Sequence, residues 1–177
     1  SQWIADSARW VEEKHQPDLS LVYLPHLDYD LQRFGPNDPR IKPALRAIDQ
    51  VAGDLIDFFE ARKVRVVVLS EYGITEVNRT IYPNRIFRHQ GWLSIKEEFG
   101  LDTIDCGSSQ AFALTDHQIA HVYLPRPDPR LLKKVRASLE SMDGVARVLE
   151  GEARQQAGLD HERSGDLVAV AEEDAWF

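Results

Sequence analysis

Two short apolar runs, separated by a long helical pattern, set the architecture of this chain. Residues 19–24 read LSLVYL, and residues 64–70 read VRVVVLS. Such runs are typical of strands that are buried on both faces of a sheet. The segment between them predicts a helix that begins near residues 39–42 and ends at 62. Strand, helix and strand together predict a right-handed βαβ crossover and an α/β fold. The core stripe of the helix is expected to be Ala44, Ile48, Val51, Leu55, Phe58 and Phe59.

The remaining elements follow from periodicity and from turn residues. Residues 1–14 predict an amphipathic helix with Trp3, Ile4, Ala8 and Val11 on one face, and residues 25–36 predict a loop. Late in the chain a helix precedes a strand without a second crossover, which predicts a small α+β portion packed on the main sheet. We therefore divide the chain into residues 1–115 and 116–177. The other predicted elements are helices at 84–92 and 129–142, a helical turn at 152–157, and strands at 110–114, 119–124, 145–149 and 166–171.

Composition excludes several classes of protein. The formal net charge is −8 and the Lys and Arg residues are scattered, which argues against a nucleic acid polymer as partner. A single cysteine, Cys106, excludes an internal disulfide and a cysteine-based zinc cluster. No apolar run approaches the roughly 20 residues that a membrane-spanning helix needs. No signal segment opens the chain, and we expect a cytoplasmic protein with no membrane partner.

Two acidic residues follow the two predicted strands. Asp28 comes shortly after the first run and Glu71 directly after the second. The carboxyl ends of neighbouring parallel strands meet at one edge of a sheet, where two carboxylates repel each other unless a cation or a proton lies between them. This placement indicates a divalent-metal site. The alternative is that both residues cap helices or face water.

The histidines offer a second set of metal-ligand candidates. Asp116 and His117 lie between two predicted strands, and His121 lies on the second of them. His117 and His121 can point the same way on a strand, which leaves a shared metal open. Hydrogen bonding of these histidines to the backbone is the simpler interpretation.

The order of these motifs resembles that of a known family. Asp28 is followed four residues later by Gln32 and then by Gly35 and Pro36, and the second run ends in Ser-Glu-Tyr-Gly at residues 70–73. This arrangement is similar to the nucleotide pyrophosphatase/phosphodiesterase branch of the alkaline phosphatase superfamily. Those enzymes show an Asp and a His four residues apart before Gly-Pro, then a Ser-Asp-His-Gly turn. The elements at 144–149 and 163–170 follow the family's order too, so the likeness extends from residue 19 to residue 177.

The resemblance implies divalent metal ions, Zn, Mn or Mg, as cofactors. It places Asp28 as a ligand of the first metal and Gln32 at the position of the accompanying His. Glu71 falls on the Asp that binds the second metal, and Tyr72 on the His beside it. An amide and a phenol in place of two imidazoles favour oxygen-preferring ions over zinc.

The resemblance also implies a function and a fold. The expected function is metal-dependent hydrolysis of phosphodiester or pyrophosphate bonds in a small-molecule phosphoester. The expected fold is part of an alkaline-phosphatase-like, mostly parallel sheet with flanking helices, formed by residues 1–115, with a smaller α+β portion at 116–177. The family's nucleophile lies in an N-terminal region outside these residues, so the catalytic residue is unassigned. We expect the chain to need the remainder of its own polypeptide and to be inactive alone. The alternative is a non-catalytic member that acts as a binding or scaffold protein.

Substrate-binding candidates follow Glu71 along the chain. Asn78, Arg79 and Arg85 are expected on a loop above the strand ends. A guanidinium there can bind a phosphate through two parallel hydrogen bonds. Equally, the three residues can be ordinary surface positions.

Overall fold

The computed structural model describes residues 1–177, which form two compact units, Ser1–Glu76 and Val77–Phe177. Helices α1 (Gln2–His15), α2 (His26–Phe34) and α3 (Lys42–Glu60) make up the first unit, with a 3₁₀ turn at Pro39–Ile41. The second unit contains the strands and three further helices. No helix in the chain combines the length and the hydropathy that crossing a membrane requires.

The long helix of the first unit is confirmed. Asp38 caps the preceding 3₁₀ turn by accepting a hydrogen bond from the Arg40 backbone N–H at 2.8 Å, and Pro39 occupies the first turn position. The buried side chains Leu55 and Phe59 of α3 pack with Ala5 of α1. The predicted face of α1 is partly wrong, because Trp3 is 79% exposed.

The loop predicted at residues 25–36 is instead mostly the helix α2. Leu27, Leu31 and Phe34 recur at helical spacing and are all half-buried, which gives this short segment an apolar face. Gly35, at φ 83°, ends the helix, and its N–H donates to the carbonyl oxygen of Leu31 at 2.9 Å. The candidate ligands of this region, Asp28 and Gln32, therefore lie on a helix, and Asp28 is in its first turn.

The two apolar runs at 19–24 and 64–70 form no strand ladder, so the predicted βαβ crossover is absent from this chain. One residue of each run, Val22 and Val66, packs against the Ala5, Leu55 and Phe59 cluster. Other side chains are open to solvent, among them Leu21 at 89% and Leu69 at 86% exposure. A strand needs a neighbouring backbone to pair its N–H and C=O groups, and none pairs with these runs here.

The second unit is built around a four-stranded sheet. Its elements in chain order are β1 (Arg79–Thr80), α4 (Pro83–His89), β2 (Ile95–Glu98), β3 (Leu101–Ile104), β4 (Phe112–Asp116), β5 (Ile119–Tyr123), α5 (Pro129–Glu140), β6 (Val145–Leu149), α6 (Glu152–Gln156), β7 (Leu167–Ala171) and β8 (Ala175–Trp176). The sheet order is β4-β5-β7-β6, and each pairing is antiparallel. The hairpin β2-β3 and the parallel pair β1-β8 stand outside that sheet.

This topology confirms the α/β class and corrects the strand directions. The helices and strands predicted after residue 83 are present, and within the second unit the sequence missed only the short pairs β2-β3 and β1-β8. The sheet was expected to be mostly parallel, yet β1-β8 is the one parallel pair. The predicted boundary between residues 115 and 116 falls inside β4, whereas the compact units divide after Glu76.

The core of the second unit lies between α5 and the sheet. Leu131, Val135 and Leu139 recur along α5 at helical spacing and are buried, as the amphipathic pattern requires. Asp128 caps α5 by accepting hydrogen bonds from the N–H groups of Arg130 and Leu131. The fully buried sheet residues that share this core include Ala120, Val122, Leu167 and Ala169.

Candidate active site

The candidate site begins with the Asp28 carboxylate in the first turn of α2. The Tyr72 hydroxyl donates to Oδ1 of Asp28 at 2.5 Å, and the Tyr23 hydroxyl donates to Oδ2 at 3.3 Å. The positive end of the helix dipole also favours a negative charge in this turn. Asp28 is therefore a half-buried anion held by one hydrogen bond on each oxygen.

The charges around the two phenols raise the pKa of each phenol further above neutral pH. The hydrogen bond to Asp28 raises the pKa of Tyr72 well above its usual range. The charge of Asp28, followed by desolvation, raises the pKa of Tyr23, and the charge of Glu71 adds to both shifts. Tyr23 and Tyr72 consequently act as hydrogen-bond donors to the carboxylate.

Of the four predicted ligands, the structure brings Asp28 and Tyr72 into direct contact. Glu71 is exposed and close enough for its charge to act on both phenols. Gln32 is exposed one helical turn after Asp28 and on the same side of α2. The turn that carries Glu71 is itself held by the Ser70 hydroxyl, which donates to the carbonyl oxygen of Tyr72 at 2.9 Å.

The donor types of this site fit a hard cation and do not fit zinc. Asp28, Glu71 and Gln32 offer oxygen atoms, which Mg²⁺ and Mn²⁺ prefer. The protonated Tyr72 hydroxyl is not an anionic ligand, so it does not replace an imidazole in a zinc site. The chain contains no group of three or more His, Cys, Asp or Glu side chains arranged to hold a metal ion.

Tyr23 is the site residue that sequence reasoning missed. It lies in the apolar run at 19–24, whose pattern predicts only a strand. A tyrosine in an apolar run needs a partner for its hydroxyl, and Asp28 is five residues ahead in the chain. That need was the one available signal.

Arg79 lies in a cluster of acidic residues in the second unit. Its guanidinium bonds to Asp143 at 3.0 Å and also to Glu172 and Asp174. The hydrogen bond to Asp174 and then that to Glu172 raise its pKa further, while the pKa of Asp174 is lowered. These three carboxylates form ion pairs with the Arg79 guanidinium, and their negative charge repels an approaching phosphate. The placement favours a structural role for Arg79 over the predicted phosphate contact.

The other two substrate-binding candidates have different surroundings. The Asn78 side chain is exposed, and its backbone N–H donates to the Asp174 carbonyl oxygen at 2.9 Å. Arg85 lies over the ring of Tyr82, 5.4 Å from its centroid. Arg85, Tyr82 and His89 line an open groove of about 650 Å³ in the second unit. Arg85 is thus the predicted phosphate ligand with the most accessible guanidinium.

The histidines take structural positions. The Nδ1 atom of His121 accepts a hydrogen bond from the Gly165 backbone N–H at 3.2 Å. His117, at φ 57°, pairs with the carboxylate of its neighbour Asp116, and its ring meets Trp176 edge to face. The His117 carbonyl oxygen also accepts from the Phe177 N–H at 3.0 Å. The simpler sequence interpretation, histidines bonded to the backbone, matches the His121 contact.

Comparison with known proteins gives a consistent family. The family model for type I phosphodiesterases and nucleotide pyrophosphatases matches residues 1–177. A protein of Schizosaccharomyces pombe, named as an uncharacterized pyrophosphatase/phosphodiesterase, is 33% identical over 86 residues, which cover 44% of this chain and 18% of that protein.

Solved structures show the same fold at low sequence identity. Murine ectonucleotide pyrophosphatase/phosphodiesterase 5 matches with a TM-score of 0.68 and 20% identity, over 99% of this chain and 44% of that chain. An inactive variant of that murine protein in complex with AMP matches with a TM-score of 0.67 and 18% identity, over 97% and 42%. Phosphonoacetate hydrolase from Sinorhizobium meliloti, in complex with phosphonoacetate, matches with a TM-score of 0.66 and 18% identity, over 99% and 41%. The chain therefore spans less than half the length of each of these relatives.

Proposed function

Because the chain belongs to the type I phosphodiesterase/nucleotide pyrophosphatase family, we propose that it forms part of a hydrolase of phosphodiester or pyrophosphate bonds. The observation that carries this proposal is the family match over residues 1–177. The proposed substrate is a small phosphoester, the class to which the AMP bound by one structural neighbour belongs, whereas the phosphonoacetate bound by another is a phosphonate. A cytoplasmic location stays a prediction of the sequence.

We further propose that the hydrolase depends on a divalent cation, with Mn²⁺ or Mg²⁺ preferred over Zn²⁺. Asp28, Glu71 and Gln32 are the proposed ligands because they supply oxygen donors in the first unit, where Asp28 is hydrogen-bonded to the residue that follows Glu71 and lies one helical turn before Gln32. Such an ion, when bound, polarises a phosphoryl oxygen. The chain's own part is to orient the Asp28 carboxylate, which the hydrogen bonds donated by Tyr23 and Tyr72 support.

The proposed enzyme includes further polypeptide of the same protein. The runs at 19–24 and 64–70 expose apolar side chains and have no strand partner in this chain, although both pack on one hydrophobic cluster. The structural neighbours are more than twice as long as the matched region. We propose that strands from the remainder of the protein pair with these runs and that this remainder supplies the nucleophile. Residues 1–177 alone are then inactive.

One observation favours a second candidate, a non-catalytic binding or scaffold protein. Each oxygen of Asp28 already accepts a hydrogen bond, and three carboxylates occupy Arg79. A carboxylate and a guanidinium that are each bonded to other side chains of the protein are expected in a family member that has lost catalysis and kept these residues for stability.

The two candidates differ in metal content and in turnover. The full-length protein is analysed for bound metal and is assayed for hydrolysis of bis(p-nitrophenyl) phosphate with added Mn²⁺, Mg²⁺ or Zn²⁺, and after chelation. For the hydrolase we expect turnover that chelation abolishes and that Mn²⁺ restores better than Zn²⁺. Absence of both bound metal and metal-dependent turnover would support the non-catalytic protein.

Matched variants connect that activity to the proposed ligands. Asp28→Asn and Glu71→Gln remove a negative charge each and keep the side-chain size. Since even partners of metal ligands cost about 10–100-fold in affinity or activity, we expect each variant to lose at least ~100-fold in kcat/KM. Asp30→Asn, on the same helix, is the control and should stay within about twofold of the wild type. Equal losses in all three variants would contradict the ligand assignment.

A further inference from the structure

The hydroxyl of Tyr72 connects two separate parts of the first unit. Tyr72 directly follows Glu71 in the turn after the run at 64–70, and its hydroxyl reaches Asp28 on α2, 44 residues earlier in the chain. The Ser70 hydroxyl fixes this turn by donating to the carbonyl oxygen of Tyr72. The Tyr72 hydrogen bond therefore constrains how far the Glu71 backbone lies from the Asp28 carboxylate.

The two phenols leave part of the carboxylate available. An ionised carboxylate has about four lone-pair sites on its two oxygens. Tyr72 uses one site on Oδ1 and Tyr23 uses one on Oδ2, so each oxygen keeps one acceptor site. Asp28 can accept both hydroxyls and bind a cation at the same time. Hydrogen bonds of this kind commonly orient the carboxylate ligands of metal ions.

The two contacts differ in strength. The Tyr72 contact, at 2.5 Å, is at the short end for a hydroxyl donating to a carboxylate, whereas the Tyr23 contact, at 3.3 Å, is long. Only the Tyr72 contact crosses between α2 and the Glu71 turn, because Tyr23 lies five residues before Asp28. The Tyr72 hydroxyl is thus the stronger and the more constraining of the two.

We propose that Tyr72 is a positioning residue for the cation site, and that Tyr23 assists it. Tyr72 holds the Asp28 carboxylate by its hydroxyl and so fixes the spacing of Asp28 and Glu71, without binding the cation itself. This inference rests on the proposed cation site. It gives Tyr72 a different role from the metal-ligand role that the sequence predicted for it.

The test measures Mn²⁺ affinity of the full-length protein by electron paramagnetic resonance titration. Tyr72→Phe removes the hydroxyl and keeps the ring, so we expect Mn²⁺ affinity to fall about 10–100-fold. Tyr23→Phe should lower it only a few-fold because its hydrogen bond is long. Tyr29→Phe changes an exposed tyrosine on the same helix and should leave the affinity unchanged. Thermal melting of each variant checks that it is folded.

A second variant separates positioning from a general loss of structure. Tyr72→His replaces the hydroxyl donor by an imidazole that can bind a metal directly, so the ratio of Zn²⁺ to Mn²⁺ affinity should rise by about tenfold or more. A merely structural tyrosine changes both affinities together and leaves that ratio unaltered. The ratio therefore remains informative if Tyr72→Phe does not fold.

Measuring both Mn²⁺ affinity and hydrolytic turnover distinguishes the positioning role of Tyr72 from the proposed activity. Any one of three results overturns the positioning role. Tyr72→Phe keeps the Mn²⁺ affinity of the wild type, Tyr72→His leaves the ratio of Zn²⁺ to Mn²⁺ affinity unaltered, or the wild type binds no Mn²⁺ at millimolar concentration. If Tyr72→Phe weakens Mn²⁺ binding and the protein shows no hydrolytic turnover, the positioning role is supported and the proposed activity is contradicted. If hydrolysis depends on the metal but Tyr72→Phe binds Mn²⁺ as tightly as the wild type does, only the positioning role is contradicted.

Discussion

Gly165 precedes β7 at a place where two backbones almost touch. A Cβ atom there lies 2.5 Å from the backbone nitrogen and 2.6 Å from the carbonyl oxygen of Val122 on β5. Backbone atoms in the middle of a sheet cannot move away as the end of a side chain can. The Gly165 N–H also donates to the Nδ1 atom of His121, which is the neighbour of Val122 on β5 and so helps to fix this close approach.

We predict that Gly165→Ala destabilises the protein by about 1–3 kcal/mol or more, because the added methyl overlaps with the β5 backbone. Urea denaturation followed by circular dichroism measures the change. Gly107→Ala is the control, since a Cβ there meets only the Asp105 side chain at 3.6 Å, an ordinary contact. If both variants have the same midpoint, the close approach at Gly165 is not what requires glycine.

At the residue scale, sequence order singled out Asp28 and Glu71 as candidate ligands but did not indicate their surroundings. Tyr23 was missed, and Tyr72 was assigned as a ligand, because nothing in the order of residues tells which hydroxyl reaches which carboxylate. Arg79 was expected to meet a phosphate, yet its partners lie 64, 93 and 95 residues away in the chain. Contacts over such separations depend on the completed fold.

At the scale of elements, the runs at 19–24 and 64–70 are the exception among the predicted strands. The strands of the second unit have hydrogen-bonded neighbours, whereas these runs have none in the chain. The apolar composition that predicted burial is correct for a strand inside a sheet, but burial also requires a partner on each side. The structure therefore does not form the predicted sheet at these two runs.

We predict that backbone amides at 64–70 exchange hydrogen rapidly in residues 1–177 alone and are protected by at least ~100-fold in the full-length protein. The physical reason is that ladder hydrogen bonds from additional strands slow exchange. Hydrogen exchange with mass spectrometry measures both samples. The peptide covering β5, which is paired on both sides, is the control and should be protected in both. Equal exchange of 64–70 in the two samples would show that these runs stay unpaired.

At the scale of the whole molecule, the two units differ in how much core they contain. The second unit buries a continuous cluster that includes Phe87, Val122, Val135, Leu139 and Leu167. The first unit buries only Ala5, Leu55 and Phe59 in its cluster, with a few half-buried side chains around them. Burial of apolar surface is the main favourable term in folding, so the two units should differ in independent stability.

We predict that residues 77–177 fold alone with a single cooperative thermal transition, and that residues 1–76 alone do not. Expression of each unit and calorimetry of the purified polypeptides measure this difference. Leu139→Ala in residues 77–177 is a matched check of the core and should cost about 2–5 kcal/mol. A cooperative transition in residues 1–76 would contradict the assignment of stability to the second unit.

The sequence by itself determined the helices other than α2, the two strand segments within 112–123 and the positions of the acidic residues in the family's order of motifs. These features depend on periodicity and spacing within a few residues, which the linear chain already contains. The tertiary structure decided the strand directions, the division after Glu76 and the partners of Asp28 and Arg79. Each of those depends on atoms that are far apart in the sequence, and their contacts form only when the chain has folded.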